Sequence, residues 1–248
     1  MKNYKITVQY DGTRYNGWQR QGNTPNTIQG KIEDILGRMV GHAVEIHGSG
    51  RTDKGVHAQM QIANFKIKTE LMPREIMEYI NEYLPEDIGI IDICEEDERF
   101  HSRLCAKRKT YIYRIWNSNS PNVFEHRYME RIKESLDEDA MKKAVKYFEG
   151  THDFSGFSSV KRYKKSTVRT IYRADVVRDG EEIRIIFEGD GFLYNMVRIM
   201  AGTLVEIGMK KRLAESIVEI FETKTRENAG RTMPAKGLTL INVSYGKD

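Results

Sequence analysis

The sequence has few cysteines and no long apolar run, and each absence excludes a class of protein. Only Cys94 and Cys105 occur among its 248 residues, too few for a zinc site or a disulfide framework. We therefore expect two reduced, structural thiols. No uncharged apolar run approaches the ~18 residues of a membrane helix, and the first residues lack the apolar stretch of a secretory signal. These features predict a cytoplasmic protein that does not enter a membrane.

Several motifs of cofactor-dependent and nucleophilic enzymes are also missing. The phosphate-loop spacing is absent, and Ser49 stands in Gly-Ser-Gly rather than the Gly-x-Ser-x-Gly elbow of hydrolases. The segment Gly189-Asp190-Gly191 is too short for a dinucleotide fingerprint. The six histidines show no metal-ligand spacing. We expect neither a metal nor a cofactor.

Charge is distributed unevenly along the chain. The net charge is only +4, but residues 70–98 carry eleven acids against one base, whereas residues 99–173 carry eighteen bases and eight acids. Such polarity suggests a cationic face for a polyanion such as nucleic acid, with an acidic segment kept away from it. Two solvated faces of opposite sign would give the same pattern. Charge alone leaves both interpretations open.

Hydrophobic periodicity predicts two halves of similar element order, which we place at residues 1–105 and 106–248. Each half has the pattern strand-helix-strand-strand-helix-strand, the split ferredoxin-like order. We expect an α+β protein whose two ferredoxin-like (split β-α-β) halves join through a mainly antiparallel sheet and leave a central cleft. In the first half, a helix is predicted to begin at Thr24-Pro25, with Thr24 as its cap. In the second, a long helix is predicted to begin near Phe192 and a final strand to cover Leu238–Tyr245.

A glycine-rich loop surrounds the most unusual carboxylate of the sequence. Gly48, Gly50 and Gly55 allow close approach of another backbone, and Asp53 lies among them beside Arg51. An aspartate in this setting could act as a nucleophile or a base. The alternative is a turn in which Asp53 caps nearby backbone amides, and the pattern alone favours that alternative.

Two further residues stand out in the second half. Tyr111 lies on a strand that mixes bases with aromatics, and tyrosine on a cationic strand suits stacking against a nucleobase. Packing in a half-buried strand is the equal alternative. Arg198 lies in a helix that is apolar on nearly every side, so its charge needs a partner. Asp190 and Glu206 are local candidates for that partner, and Asp53 is the distant one.

Five blocks follow one another along nearly the whole chain. They are Tyr10-Asp11-Gly12 with Tyr15-Asn16-Gly17-Trp18-Gln19; Gly50-Arg51-Thr52-Asp53-Lys54-Gly55-Val56-His57-Ala58; Phe100-His101-Ser102-Arg103 followed by Tyr111-Ile112-Tyr113; Gly191-Phe192-Leu193-Tyr194-Asn195-Met196-Val197-Arg198; and Arg231-Thr232 with Pro234-Ala235-Lys236-Gly237-Leu238. In this order the blocks resemble the tRNA pseudouridine synthase A family. Any one of them would be a weak signal, whereas five in order make a strong one.

The resemblance implies the pseudouridine synthase fold with a central RNA-binding cleft, and a homodimer that needs no metal or cofactor. It implies isomerisation of uridine to pseudouridine in the tRNA anticodon stem-loop, near nucleotides 38, 39 and 40. Asp53 matches the family's catalytic aspartate, Tyr111 the tyrosine stacked on the target base, and Arg198 the arginine paired with that aspartate. Arg51 matches an arginine that helps to turn the nucleotide out of the stack, and Leu238 an apolar residue near the base.

Basic segments such as Lys161-Arg162-Tyr163-Lys164-Lys165 would hold phosphates without reading sequence, and we single out Lys164 and Lys165 for this role. A competing hypothesis is a non-catalytic RNA-binding module, which needs stacking aromatics and basic strands but no glycine-framed aspartate. A metal-dependent nuclease is a third hypothesis, and the sequence lacks the carboxylate cluster it requires. Release of tritium from C5-labelled uridine would distinguish the isomerase from the module.

Overall fold

The computed structural model describes residues 1–160 and 166–246, and ten strands and five α-helices lie within these residues. The strands are β1 Lys2–Tyr10, β2 Ile46–Gly48, β3 His57–Ile67, β4 Ile88–Glu96, β5 Arg108–Asn117, β6 Glu130–Ile132, β7 Gly150–Asp153, β8 Val168–Asp179, β9 Glu182–Gly189 and β10 Leu238–Ser244. The helices are α1 Ile28–Val40, α2 Pro73–Tyr83, α3 Glu138–Val145, α4 Met196–Gly208 and α5 Ser216–Thr223. No helix among the described residues is long and apolar enough to cross a membrane.

The chain forms two compact units. The first contains Met1–Lys107 together with the chain from Leu240 onward, and the second contains Arg108–Thr239. The sequence-based division at 105/106 assigned the whole C-terminal segment to the second half. In the structure the last strand returns to the first unit, where the Lys107 amide donates to the Ser244 carbonyl at 2.9 Å and the Tyr245 hydroxyl donates to the Ser102 carbonyl at 2.8 Å.

In the first unit the strand order is β4-β1-β3-β10, and β2 also pairs with β3. Strand β1 is antiparallel to both β3 and β4. The apolar face of α1 is buried, including Ile28, Ile32 and Leu36, because these residues recur at helical spacing. Strand β1 is therefore paired along both of its edges within this sheet.

In the second unit the strand order is β5-β9-β8-β7, all antiparallel, and the short β6 pairs in parallel with β5. Tyr111, Tyr113 and Ile115 share one face of β5 and are buried, which agrees with the alternative of packing in a strand. The strands β6 and β7 have three and four residues and gave no recognisable periodicity. The expected fold class, α+β with mainly antiparallel strands, is confirmed.

The predicted starts of α1 and α4 are both wrong, because the residues before each helix form a loop or a turn instead of its first turn. Helix α1 is capped by Thr27, whose hydroxyl accepts from the Gly30 amide at 3.2 Å, whereas the Thr24 hydroxyl accepts from the Asn26 amide within the preceding loop. Helix α4 begins at Met196 rather than near Phe192, after Asn195 in the left-handed conformation with φ 61°. Local capping and turn geometry therefore decide both boundaries.

Glu182 gives the second unit a testable pH dependence. Both Arg114 and Arg184 donate two hydrogen bonds to this buried carboxylate, at 2.7–3.2 Å. Burial alone would raise the pKa of Glu182, but these hydrogen bonds outweigh burial and lower the pKa from 4.5 to about 2. A depressed folded-state pKa contributes stability that is present above the unfolded value and is lost as pH falls toward the folded value.

We expect Glu182→Gln to lower the free energy of unfolding by about 3 kcal/mol near neutral pH, the equivalent of that pKa shift. The deficit should shrink as pH falls from about 4.5 toward 2. Urea unfolding of the wild type and of Glu182→Gln over a series of pH values measures this deficit in the free energy of unfolding. Glu181→Gln, at an exposed neighbouring position, is the control. A deficit that does not change with pH would contradict the assignment.

Candidate active site

Asp53 lies in the connection between β2 and β3, residues 49–56, and this loop is held mainly through its backbone. The Trp18 amide donates to the Thr52 carbonyl at 3.1 Å, and the Val56 amide donates to the Asp53 carbonyl at 3.1 Å. The hydroxyls of Tyr10 and Thr52 are 2.7 Å apart in a buried hydrogen bond, and burial raises the pKa of Tyr10 so that its phenol stays neutral. The Asp53 side chain is half-buried on this fixed backbone.

The first sequence block directly supports the second block, which contains Asp53. The Gly55 amide donates to the Tyr15 carbonyl at 3.3 Å. Gly17 has φ +89°, and a Cβ at this position would lie 2.5 Å from the Thr52 carbonyl oxygen. Only glycine tolerates both that conformation and that approach. Two motifs about 35 residues apart in sequence are thus parts of one structure around Asp53.

His57 closes the other end of the loop. Its Nδ1 accepts a hydrogen bond from the Gly12 amide at 3.0 Å and lies 3.1 Å from Asp11 Oδ1, and the ring is 3% exposed. His57 therefore anchors the first sequence block to the start of β3. Among the described residues, no group of three or more His, Cys, Asp or Glu side chains could hold a metal ion.

Arg51 is exposed, and its Nε donates to Gln19 Oε1 at 3.0 Å. Because Arg51 precedes Asp53 by two residues, both side chains leave the same short loop. This brings two of the predicted site residues together within the first unit. The contribution of Gln19 could not be read from the sequence, because the two residues are separated by 32 positions.

Tyr111 lies on β5 in the second unit, opposite Phe187 of β9, and is 8% exposed. Its ring meets Phe192 edge to face, with centroids 5.1 Å apart and an interplanar angle of 81°. Such a contact fixes the ring plane. The third and fourth sequence blocks therefore meet at this tyrosine.

Arg198 lies on the first turn of α4 and is half-buried. Its Nε donates to the Met233 carbonyl and its Nη1 donates to Asn195 Oδ1, each at 2.6 Å. The two local carboxylates that the sequence offered have other contacts: Glu206 pairs with Arg212 at 3.0 Å, and Asp190 accepts from the Thr170 amide at 3.0 Å.

Leu238 is 6% exposed and begins β10. The residue before it, Gly237, lies against the Tyr113 ring, since a Cβ there would approach that ring to 2.6 Å. The Tyr113 hydroxyl donates to the Pro234 carbonyl at 2.8 Å, and burial raises its pKa and keeps it protonated. The last sequence block thus packs on β5, two residues along the strand from Tyr111. Lys164 and Lys165 lie outside the described residues.

The chain is similar to a known enzyme family over most of its length. The family model described as tRNA pseudouridine synthase matches residues 6–103 and 144–246. "tRNA pseudouridine synthase A" of Bacillus sp. (strain KSM-64) is 48% identical over 245 residues, which are 99% of this chain and 100% of that protein. "tRNA pseudouridine synthase A 2" of Bacillus anthracis and "tRNA pseudouridine synthase A" of Clostridium acetobutylicum are 45% and 43% identical with the same coverage.

Among solved structures, a chain of the "Crystal Structure of a Cbf5-Nop10-Gar1 Complex" is similar with a TM-score of 0.41 and 10% identity. The similarity covers 96% of this chain and 48% of that one, so the present chain spans about half the length of the solved chain.

Proposed function

Because the chain belongs to the tRNA pseudouridine synthase family, which isomerises uridine in tRNA, we propose that it converts uridines 38, 39 and 40 of the anticodon stem-loop with Asp53 as its catalytic nucleophile or base. The observation that carries the proposal is the loop of Asp53. Backbone contacts with Trp18 and Tyr15 fix that loop, and the carboxylate is half-buried on it. A carboxylate presented in this way is suited to one defined attack.

The reaction breaks the N1–C1′ bond, turns the uracil and rejoins it to the sugar through C5. The C5 proton then leaves, and N1, which no longer carries the sugar, gains a proton. A carboxylate can attack the sugar at C1′, attack the base at C6, or remove the C2′ proton. Each of these three steps needs an ionised, oriented aspartate. None of them needs an oxidant or an energy source, because substrate and product are isomers.

A uridine inside a stem must leave the stack before Asp53 can reach it. Flipping a nucleotide costs a few kcal/mol, and stacking on an aromatic ring offsets part of that cost. We assign the stacking to Tyr111, whose ring plane is fixed by Phe192, and assign help with the displacement to the exposed Arg51. Leu238 would contribute an apolar contact near the base.

Arg198 completes the proposed catalytic set. Two of its N–H groups are directed to Met233 and Asn195, so the plane of its guanidinium is fixed. We propose that it pairs with Asp53, because a paired aspartate stays ionised and is held in one rotamer. Lys164 and Lys165 would contact phosphates of the anticodon stem-loop. We further propose that the enzyme acts as a homodimer in the cytoplasm.

The proposed function is tested by tritium release from tRNA labelled at C5 of uridine, without added metal or nucleotide. The isomerase releases tritium, and defined transcripts show which uridines react. Tight tRNA binding without release would instead indicate the non-catalytic RNA-binding module. A transcript with its uridines at 38 to 40 replaced is the control, and unchanged release from it would contradict the assigned positions.

Substitutions of Tyr111 separate stacking from proton transfer. We expect Tyr111→Phe to retain most of the rate and Tyr111→Leu to lose about 10- to 100-fold, the range that base–aromatic stacking supplies. Tyr147→Leu, at an exposed tyrosine of the same unit, is the control. Equal, severe losses in both Tyr111 variants would assign a proton-transfer role to the hydroxyl. Wild-type rates in both would remove Tyr111 from the site.

A further inference from the structure

A continuous chain of hydrogen bonds connects Arg51 to a buried carboxylate on α1. Arg51 Nε donates to Gln19 Oε1 at 3.0 Å, Gln19 Nε2 donates to Gln29 Oε1 at 2.7 Å, and Gln29 Nε2 donates to Glu33 Oε1 at 2.7 Å. Gln29 and Glu33 are 5% and 6% exposed. The chain therefore runs from an exposed guanidinium into the interior of the first unit.

The direction of this chain is fixed by groups whose hydrogen-bonding role cannot be reversed. The Ile46 amide donates to Glu33 Oε1 at 3.0 Å, and the Ile46 carbonyl accepts from Gln29 Nε2 at 3.0 Å. The Arg20 amide donates to Gln29 Oε1 at 3.0 Å. Two acceptors on one side and a backbone donor on the other leave the Gln29 amide a single orientation.

The orientation of Gln29 determines that of Gln19. Because Gln29 Oε1 can only accept, Gln19 must turn its amino group toward it. Its carbonyl oxygen then faces the loop and accepts from Arg51. Reversing any amide would place two donors or two acceptors against each other, which is costly for buried groups.

Glu33 supports the same orientation of the Gln29 amide as the Ile46 carbonyl does. Its Oε1 accepts from both Gln29 Nε2 and the Ile46 amide. Burying a carboxylate is costly, and here the exposed Arg20 side chain pairs with it at 3.0 Å. The buried end of the hydrogen-bond chain from Arg51 is therefore a carboxylate with its own partners.

We propose that Glu33 is a positioning residue for Arg51. Acting through Gln29 and Gln19, it holds the guanidinium in the orientation needed when a paired nucleotide is turned out of its stem. The inference rests on the proposed function of Arg51. It adds three polar residues of α1 and the preceding segment that do not touch the substrate themselves.

The first test compares two anticodon stem-loop RNAs that differ only in whether the target uridine is base-paired or mismatched. We expect Glu33→Met to lower kcat/KM by about tenfold or more on the paired target, because misplacement of a positioned group is costly. On the mismatched target, which flips more easily, the loss should be within about twofold. Glu33→Gln, which keeps an acceptor oxygen for Gln29, should recover most of the rate.

Two more variants provide an alternative to Glu33→Met and a control. Gln29→Met breaks the chain but leaves the Glu33 contacts with Ile46 and Arg20 in place, so it gives the same expected split if Glu33→Met does not fold. Asp34→Asn removes only the 3.0 Å pair of Arg20 with Asp34 and should leave both targets unchanged. In an Arg51→Ala background, Glu33→Met should cause no further loss. Equal losses on the two RNAs, or losses that add to Arg51→Ala, would overturn the inference.

A measurement made without substrate tests this inference independently of the proposed function. Solvent exchange of the Arg51 Nε–H, followed by NMR, should be slow in the wild type and in Asp34→Asn, and about tenfold faster in Glu33→Met and Gln29→Met. Unchanged exchange in those two variants would overturn the positioning role even if tRNA is isomerised. Absence of tritium release by the wild type, with the exchange result as expected, would instead overturn the proposed function and the role of Arg51 with it.

Discussion

Asp53→Asn is expected to abolish turnover and to leave tRNA binding within a few-fold of the wild type. The substitution keeps the shape of the side chain but removes its charge and its capacity as nucleophile or base, a loss of at least about a thousandfold for a group of this kind. The loop should keep its fold, because Trp18, Tyr15 and Val56 hold it through backbone atoms. Binding should persist because phosphate contacts dominate affinity for RNA.

Two measurements check this expectation. Tritium release reports turnover, and filter binding or fluorescence anisotropy of labelled tRNA at fixed salt reports affinity. Asp92→Asn, at an exposed position on β4, is the matched control and should behave as the wild type. Turnover by Asp53→Asn within about tenfold of the wild type, a difference of only ~1.4 kcal/mol in activation free energy, would remove Asp53 from the catalytic role.

Arg198→Ala is expected to lose both activity and stability. The substitution removes the donors to the Met233 carbonyl and Asn195, and in the proposed pair it also leaves Asp53 without its cation. Because both residues are half-buried, the loss of stability should stay below the ~3–5 kcal/mol that breaking a fully buried pair costs. Arg198→Lys keeps the charge but lacks the planar fork that serves several acceptors at once, so it should recover little activity.

A double-mutant cycle tests the pairing itself. If Arg198 and Asp53 interact, the effects of Arg198→Ala and Asp53→Asn on the free energy of unfolding should be non-additive by about 1 kcal/mol or more. Arg212→Ala removes another partly buried arginine of the second unit, paired with Glu206 at 3.0 Å, and its effect should simply add to that of Asp53→Asn. Additivity in both cycles would show that Arg198 acts without Asp53.

The candidate site shows which residues can be singled out from the sequence. Some residues are unusual for their immediate neighbours in sequence, so they can be singled out without coordinates. They are the aspartate among glycines, the tyrosine on a basic strand and the arginine in an apolar helix. The supporting residues are not unusual in that way. Nothing local distinguishes Gln19, Gln29 or Glu33 from the polar face of any loop and helix.

The amino-acid sequence by itself determined the class of elements and most of their order. Periods of two and 3.6 depend on which residues are apolar, and that information is local. It predicted the mainly antiparallel α+β class, and it left open whether Tyr111 packs in the strand or stacks on a base. The ordered motifs likewise pointed to the family that the comparisons then showed.

Only the tertiary structure decided which residues act together at a distance. The return of β10 to the first unit and the chain from Arg51 to Glu33 depend on hydrogen bonds between segments that meet only after folding. Such bonds are made by side chains and backbone groups whose partners are set by packing, not by neighbours in sequence. The sequence determines which side chains the loop around Asp53 contains. The tertiary structure determines how those side chains are oriented.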